Sequence, residues 1–128
     1  MHRTLAMAAL SVAAPLQAQG VAIESSVFVE HSDAKGLRVE PAEHFTHGDR
    51  VVTVMSWQAP EGGRFTVVSP VPAGLQVESV SRTGLEVSTD HGHSWRTLAD
   101  ARDLPAGVTH LRWHAAGDGR LTYRALVR

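Results

Sequence analysis

The chain alternates apolar and polar residues in several short runs, which is the pattern of strands with one buried face. In the run VAIESSVFVE, residues 21–30, Ile23, Val27 and Val29 alternate with glutamate and serine. Residues 51–57 are dense in β-branched and apolar side chains, as expected of a central strand. Both runs predict β-strands in the first half of the chain.

Further strands are predicted along the rest of the chain, and Gly- and Pro-rich turns separate them. The piece LRVEPAE, residues 37–43, is short and extended. Pro41 suits a strand end or a sheet edge there, because proline cannot donate to a ladder. The remaining predicted strands are residues 65–68, 75–80, 85–88, 95–98, 108–115 and 120–128.

The number and spacing of these strands predict the fold class. Without the short extended piece over residues 37–43, the chain has about seven to eight predicted strands at spacings of roughly 8–12 residues, which is typical of an antiparallel β-sandwich. A barrel is the main alternative. We therefore expect an all-β fold, and the only helix expected is that of an N-terminal signal.

The first 20 residues, MHRTLAMAALSVAAPLQAQG, have the order of a secretory signal peptide. Arg3 precedes an apolar run over residues 5–14, and small residues follow. That run is too short to span a bilayer, which takes about 20 residues. We expect a cleavable signal peptide over residues 1–18, with cleavage after Ala18 or alternatively after Gly20. Residues 19–128 then form one exported domain.

The charge and cysteine content narrow the range of partners. Removing residues 1–18 takes away one basic residue and leaves 11 basic and 13 acidic residues, without a basic cluster. Nucleic acids and anionic membranes are therefore not expected as partners. The chain has no cysteine, which excludes disulfides and thiolate metal sites. No further apolar stretch approaches the length of a transmembrane segment, so none is expected in the mature chain.

The stretch STDHGHSW, Ser88 to Trp95, predicts a tight β-hairpin. Asp90 can accept hydrogen bonds from backbone N–H groups just after it, and Gly92 supplies a left-handed turn conformation. Trp95 is expected to bury its ring under the turn. The order S-x-D-x-G-x-x-W resembles the Asp-box of sialidase-type propellers, which also occurs singly in other β domains. One copy in 128 residues cannot build a propeller, so the hairpin is expected to be structural.

Four motifs occur in a recognisable order: HGDRVVTVMSW, PVPAGLQVESV, VSTDHGHSW and VTHLRW. In this order they resemble the conserved uncharacterised repeat domain of bacterial and archaeal surface proteins. The resemblance covers about residues 37–128 and includes a single copy of the domain. It implies an immunoglobulin-like sandwich on an exported protein, and it implies no catalytic residues.

Histidine is the residue type whose number is unusual in the composition of this chain. His91 and His93 flank Gly92 at the tip of the predicted hairpin, which makes them the best candidate pair for zinc or copper. A metal site needs three or four converging ligands, and the sequence offers pairs. Seven histidines follow the predicted signal peptide: His31, His44, His47, His91, His93, His110 and His114.

No enzyme motif is present, since the chain has neither a G-x-S-x-G elbow nor an H-E-x-x-H helix. We expect no catalytic residues and no cofactor. The three tryptophans, Trp57, Trp95 and Trp113, are expected in the core. The sequence favours an exported structural or protein-interaction module of the bacterial cell envelope, with contacts through sheet edges or loops. The alternative is a periplasmic protein that binds zinc or copper through histidines.

Overall fold

A computed structural model describes residues 22–33, 35–41, 44–59 and 63–128, so the predicted signal peptide, residues 1–18, lies outside the described residues. The described residues contain strands and turns, and none of their segments is a helix able to cross a membrane. The strands are β1 (Ala22–Asp33), β2 (Gly36–Pro41), β3 (Arg50–Gln58), β4 (Arg64–Pro70), β5 (Leu75–Val80), β6 (Glu86–Ser88), β7 (Arg96–Thr97), β8 (His110–Ala116) and β9 (Gly119–Val127).

These strands form two antiparallel sheets. The larger sheet has five strands in the order β2-β1-β3-β9-β5, and the smaller has four in the order β4-β8-β6-β7. A single apolar cluster takes residues from the inner faces of both sheets. The sheets are separate and end in edge strands, as in a sandwich and unlike a closed barrel. The predicted all-β, antiparallel sandwich class is confirmed.

Burial follows the alternation read from the sequence. On β8, Leu111 and Trp113 are buried, whereas His110, Arg112 and His114 face away from the core. Successive side chains of a strand point to opposite faces, so the pattern identifies which face packs inward. The alternation of apolar and polar residues in the predicted strand 108–115 therefore matches its buried and outward faces.

The first strand is longer than predicted. The alternating run over residues 21–30 predicts a strand that ends at Glu30, but β1 continues to Asp33. The reason is pairing with β2, which follows in a hairpin with Asp33 opposite Gly36. Since β1 pairs with β3 only from Ala22 to Glu30, the end of the β1–β2 hairpin extends past β3.

Two tryptophans join the sheets in the core, as predicted. Trp57 on β3 is 3% exposed and Trp113 on β8 is 2% exposed. Their ring centroids lie 5.7 Å apart, and Phe65 on β4 meets Trp57 edge-on at 6.5 Å. Large aromatic rings in contact bury much apolar surface and gain from their relative orientation. This contact connects the central strand of the larger sheet to the smaller sheet.

The turn between β8 and β9 holds the other side of Trp57. The indole Nε1–H donates to the carbonyl of Gly117 at 3.1 Å, and the Asp118 carboxylate accepts the N–H of Ala59 at 2.7 Å. Gly119 lies so close to the ring that a Cβ atom there would stand 2.6 Å from Trp57 Cζ2. Glycine is required at position 119 because the ring fills the space that a side chain would need.

We expect Gly119→Ala to destabilise the protein by about 1–3 kcal/mol, because the methyl group forces the buried Trp57 ring or the turn to move. Urea denaturation followed by tryptophan fluorescence measures the change. Gly63→Ala is the matched control, since a Cβ atom at Gly63 meets nothing within 4 Å and the backbone is not left-handed. Equal midpoints for the two variants would contradict the close packing of this turn.

Candidate functional site

The predicted hairpin is present, with β6 and β7 paired antiparallel and residues 89–95 connecting them. Ser88, which is 1% exposed, organises its first half. The Ser88 hydroxyl donates to Asp90 Oδ1 at 2.7 Å and accepts the N–H groups of Asp90 at 3.2 Å and Gly92 at 2.8 Å. A buried serine that makes all of these hydrogen bonds stabilises the turn.

Asp90 organises the second half of the same turn. Its Oδ1 accepts the N–H of Ser94 at 2.9 Å, and its Oδ2 accepts the Ser94 hydroxyl at 2.6 Å. The Ser94 hydroxyl, the Ser94 N–H and the Ser88 hydroxyl hold the pKa of Asp90 well below its usual range. Hydrogen bonds to the charged form favour that form, so the carboxylate stays ionised while it caps the turn.

The backbone at the tip of the turn is left-handed at two successive residues. Gly92 has a φ of +87°, and His91 has a φ of +61°. Among the described residues, His91 is the one non-glycine residue with a positive φ, a conformation that is costly for a residue with a Cβ atom. The N–H of His91 donates to Thr109 Oγ1 at 3.0 Å, which ties the tip to the segment leading into β8.

The expectation that Trp95 is a core residue is wrong, because its ring is half-buried and outside the apolar cluster. Arg112 covers the ring, with its guanidinium carbon 4.2 Å from the ring centroid. Arg112 Nε also donates to Glu86 Oε1 at 2.8 Å. The side-chain alternation explains the difference, since Val87 points inward and Glu86 outward, and Trp95 falls on the face of Glu86. The ring still packs at the turn, because a Cβ atom at Gly92 would lie 3.7 Å from it.

The candidate metal pair does not point at one position. His93 Nδ1 lies 2.7 Å from the carbonyl of Asp90, and a carbonyl accepts, so Nδ1 donates. The ring of His91 instead stands edge-on to His110, with centroids 6.2 Å apart. In the part of the chain that the structure describes, no three His, Asp or Glu side chains are grouped to hold a metal ion. Metal binding by His91 and His93 stays a prediction from sequence.

A different feature is the open edge of the larger sheet, where strand β2 ends in Pro41, as the position predicted for this proline requires. All six residues of β2 are exposed, and Leu37 and Val39 are 60% and 49% exposed. Among the residues that the structure describes, these two are the large hydrophobic residues that are exposed. In the sequence, this edge is indicated by the short alternating run LRVEP, which ends in a proline as is typical of edge strands.

Other edges of the sandwich are more protected. The loop after β7 bonds to β5, through the N–H of Val80 to the carbonyl of Ala101 at 2.9 Å and Gln76 Nε2 to the carbonyl of Pro105 at 3.4 Å. On β4 only Arg64 is exposed, and β7 has two residues. Strand β2 is therefore the most accessible described edge for another extended chain.

The turn gives a pH prediction for Asp90. Its folded-state pKa is lowered, so its stabilising contribution is present above the ordinary aspartate pKa of about 4 and is lost as pH falls below that value. Asp90→Asn should lower the urea midpoint at pH 7 and reduce the loss of stability as pH falls below about 4. Ser94→Ala should raise the pKa of Asp90 in an NMR titration. Identical pH profiles for Asp90→Asn and the original protein would contradict the capping role.

The left-handed residue gives a second prediction. We expect His91→Gly to raise stability by up to about 1 kcal/mol, because glycine adopts a positive φ without the steric cost of a Cβ atom. His93→Gly is the control, since it removes the bond from the ring to Asp90 without relieving a left-handed residue, and it should lower the midpoint. Thermal and urea denaturation distinguish the two, and a loss of stability in His91→Gly would refute the strain.

Comparison of the chain with family models, with curated proteins and with solved structures finds no match.

Proposed function

We propose that this chain is an exported, non-enzymatic interaction module of the cell envelope with an immunoglobulin-like sandwich, and that it binds a protein partner through strand β2. The observation that carries the proposal is the edge itself, where Leu37 and Val39 are exposed on a strand whose outer side pairs with no other described strand. An extended segment of a partner can add to such an edge, with main-chain hydrogen bonds giving affinity and side chains giving specificity.

The exposed edge of β2 lowers the solubility of the protein unless a binding partner covers it. An open strand with exposed apolar residues is a template for pairing with another chain, and proteins usually shorten, charge or cover it. The loop after β7 covers β5 in this way, whereas nothing among the described residues covers β2. Retaining Leu37 and Val39 on this strand is best explained by a partner that covers them.

The sequence supports the remaining parts of the proposal. Residues 1–18 have the order of an export signal, and the four motifs in residues 37–128 resemble an immunoglobulin-like domain of surface proteins. A five-stranded sheet packed on a four-stranded sheet is compatible with that domain type.

The polar turn supports a structural role in place of a catalytic one. The Ser88 hydroxyl donates to Asp90 and is buried, and no histidine accepts its proton. A serine nucleophile needs a base within hydrogen-bond reach and an accessible oxygen. Asp90 is likewise fully engaged with Ser88 and Ser94. These hydrogen bonds account for the S-x-D-x-G-x-x-W pattern without a catalytic role.

The test is photo-crosslinking in the native host, with a photoreactive residue at Val39 and, as control, at Thr97. Thr97 is exposed on the short edge strand β7. We expect Val39 to give a discrete protein adduct in the exported fraction and Thr97 to give none. Retention of the full chain in the cytoplasm, or equal labelling at both positions, would overturn the proposal.

A further inference from the structure

Strand β2 is complementary to itself. We infer that its partner is a second copy of this chain, whose β2 pairs antiparallel across a two-fold axis through Val39. The inference rests on the proposed function, because it names the occupant of the same edge. It joins two five-stranded sheets into one continuous sheet with the two β2 strands at its centre.

Symmetry limits how two copies of β2 can pair. In an antiparallel pair, residues directly opposite one another lie on the same face of the sheet. A two-fold interface uses the same surface on both copies, so the axis must pass through a residue that faces itself. For the middle of β2, that residue is Arg38, Val39 or Glu40.

The axis through Val39 gives the favourable register. It sets Arg38 of each copy directly opposite Glu40 of the other, and Leu37 opposite Pro41. The alternatives place Arg38 against Arg38, or Glu40 against Glu40. Opposite charges stabilise a cross-strand pair, whereas like charges in this position destabilise it. Charge complementarity therefore selects one register among the three.

The charges of β2 are already arranged for this pairing. Within one strand, Arg38 Nη1 donates to Glu40 Oε2 at 2.8 Å, so both side chains lie along the same face. His31 on β1 also approaches Glu40, with Nε2 3.7 Å from Oε1. A second copy adds an arginine and a glutamate to complete a square of alternating charges. Each Arg38 then has one glutamate along its strand and one across the axis.

The opposite face of β2 supplies apolar contact. Leu37, Val39 and Pro41 alternate with the charged residues, so they share a face. In the Val39-centred register, the two valines meet at the axis and a leucine–proline pair lies on either side. Phe28 of β1, directly opposite Pro41, extends this strip into the sheet. Pairing sets these side chains side by side and so removes part of the exposed apolar surface of Leu37 and Val39 from water.

Charged residues and proline on an edge strand often serve to prevent pairing. Charges of one sign would repel a second copy in every register. Arg38 and Glu40 have opposite signs and flank Val39 symmetrically, so they repel when the axis is displaced by one residue and attract when it passes through Val39. Arg38 and Glu40 thus disfavour pairing in the neighbouring registers and permit one dimer.

Disulfide formation tests the axis directly, because the chain has no cysteine of its own. Two residues facing each other across a strand pair lie within the Cα range of a disulfide. We expect Val39→Cys to cross-link two copies readily under mild oxidation. Leu37→Cys is the register control, since its symmetry mate would lie about 13 Å away. Thr97→Cys measures the rate of cross-linking by random collision. Faster cross-linking at Leu37 than at Val39 would overturn the register.

Charge reversal tests the same register in solution by sedimentation equilibrium of the full chain as processed by the cell. We expect Arg38→Glu and Glu40→Arg each to weaken association by about tenfold or more, and the two together to restore it to within about threefold. Urea denaturation of each variant checks that the fold is intact. No restoration in the double variant would overturn the Val39 axis.

The outcomes separate this inference from the proposed function. A monomer that gives no Val39 adduct with itself but a discrete Val39 adduct with another protein would overturn the second copy and leave β2 as a binding edge. Absence of any β2 adduct would overturn both. A dimer that cross-links at Val39 and responds to charge reversal supports both.

Discussion

The contact between Trp57 and Trp113 is the interaction on which the sandwich depends. Trp57 lies on the central strand of the larger sheet, and Trp113 on an inner strand of the smaller one. Their rings meet across the core, and Trp57 is contacted on its other side by Gly117 in the turn after β8 and by Gly119 at the start of β9. Because close-packed interiors transmit small shifts, this contact fixes the spacing of the sheets and the path of the last hairpin.

The turn at Ser88–Ser94 shows how a local motif is placed by distant residues. Its polar bonds join residues two to four positions apart, and these bonds require no other part of the fold. Its orientation depends on Thr109, which accepts the N–H of His91, and on Arg112, which covers Trp95. A turn that is satisfied internally and held at two further points suits a rigid role, and its hydrogen bonds account for the presence of both a serine and an aspartate in it.

The edge strand β2 relates the architecture to the proposed role. It lies outside β1, at the end of the larger sheet, and the smaller sheet does not cover it. Within the described part of the chain, the core is packed between the two sheets, whereas the outer side of β2 pairs with no strand. A second copy would close that edge by the same rules that build the sheet, namely main-chain pairing, facing apolar residues and opposite charges across the strands.

The sequence by itself determined the strand segments, the inward face of β8, the turn residues and the burial of Trp57 and Trp113, because alternation and turn chemistry are local. Tertiary structure decided the order of strands, the extension of β1 to Asp33 and the exposure of β2. It also decided that Trp95 lies under Arg112, outside the core. A period of two says which side chains share a face, but only the neighbouring strands and the opposite sheet decide whether that face is covered.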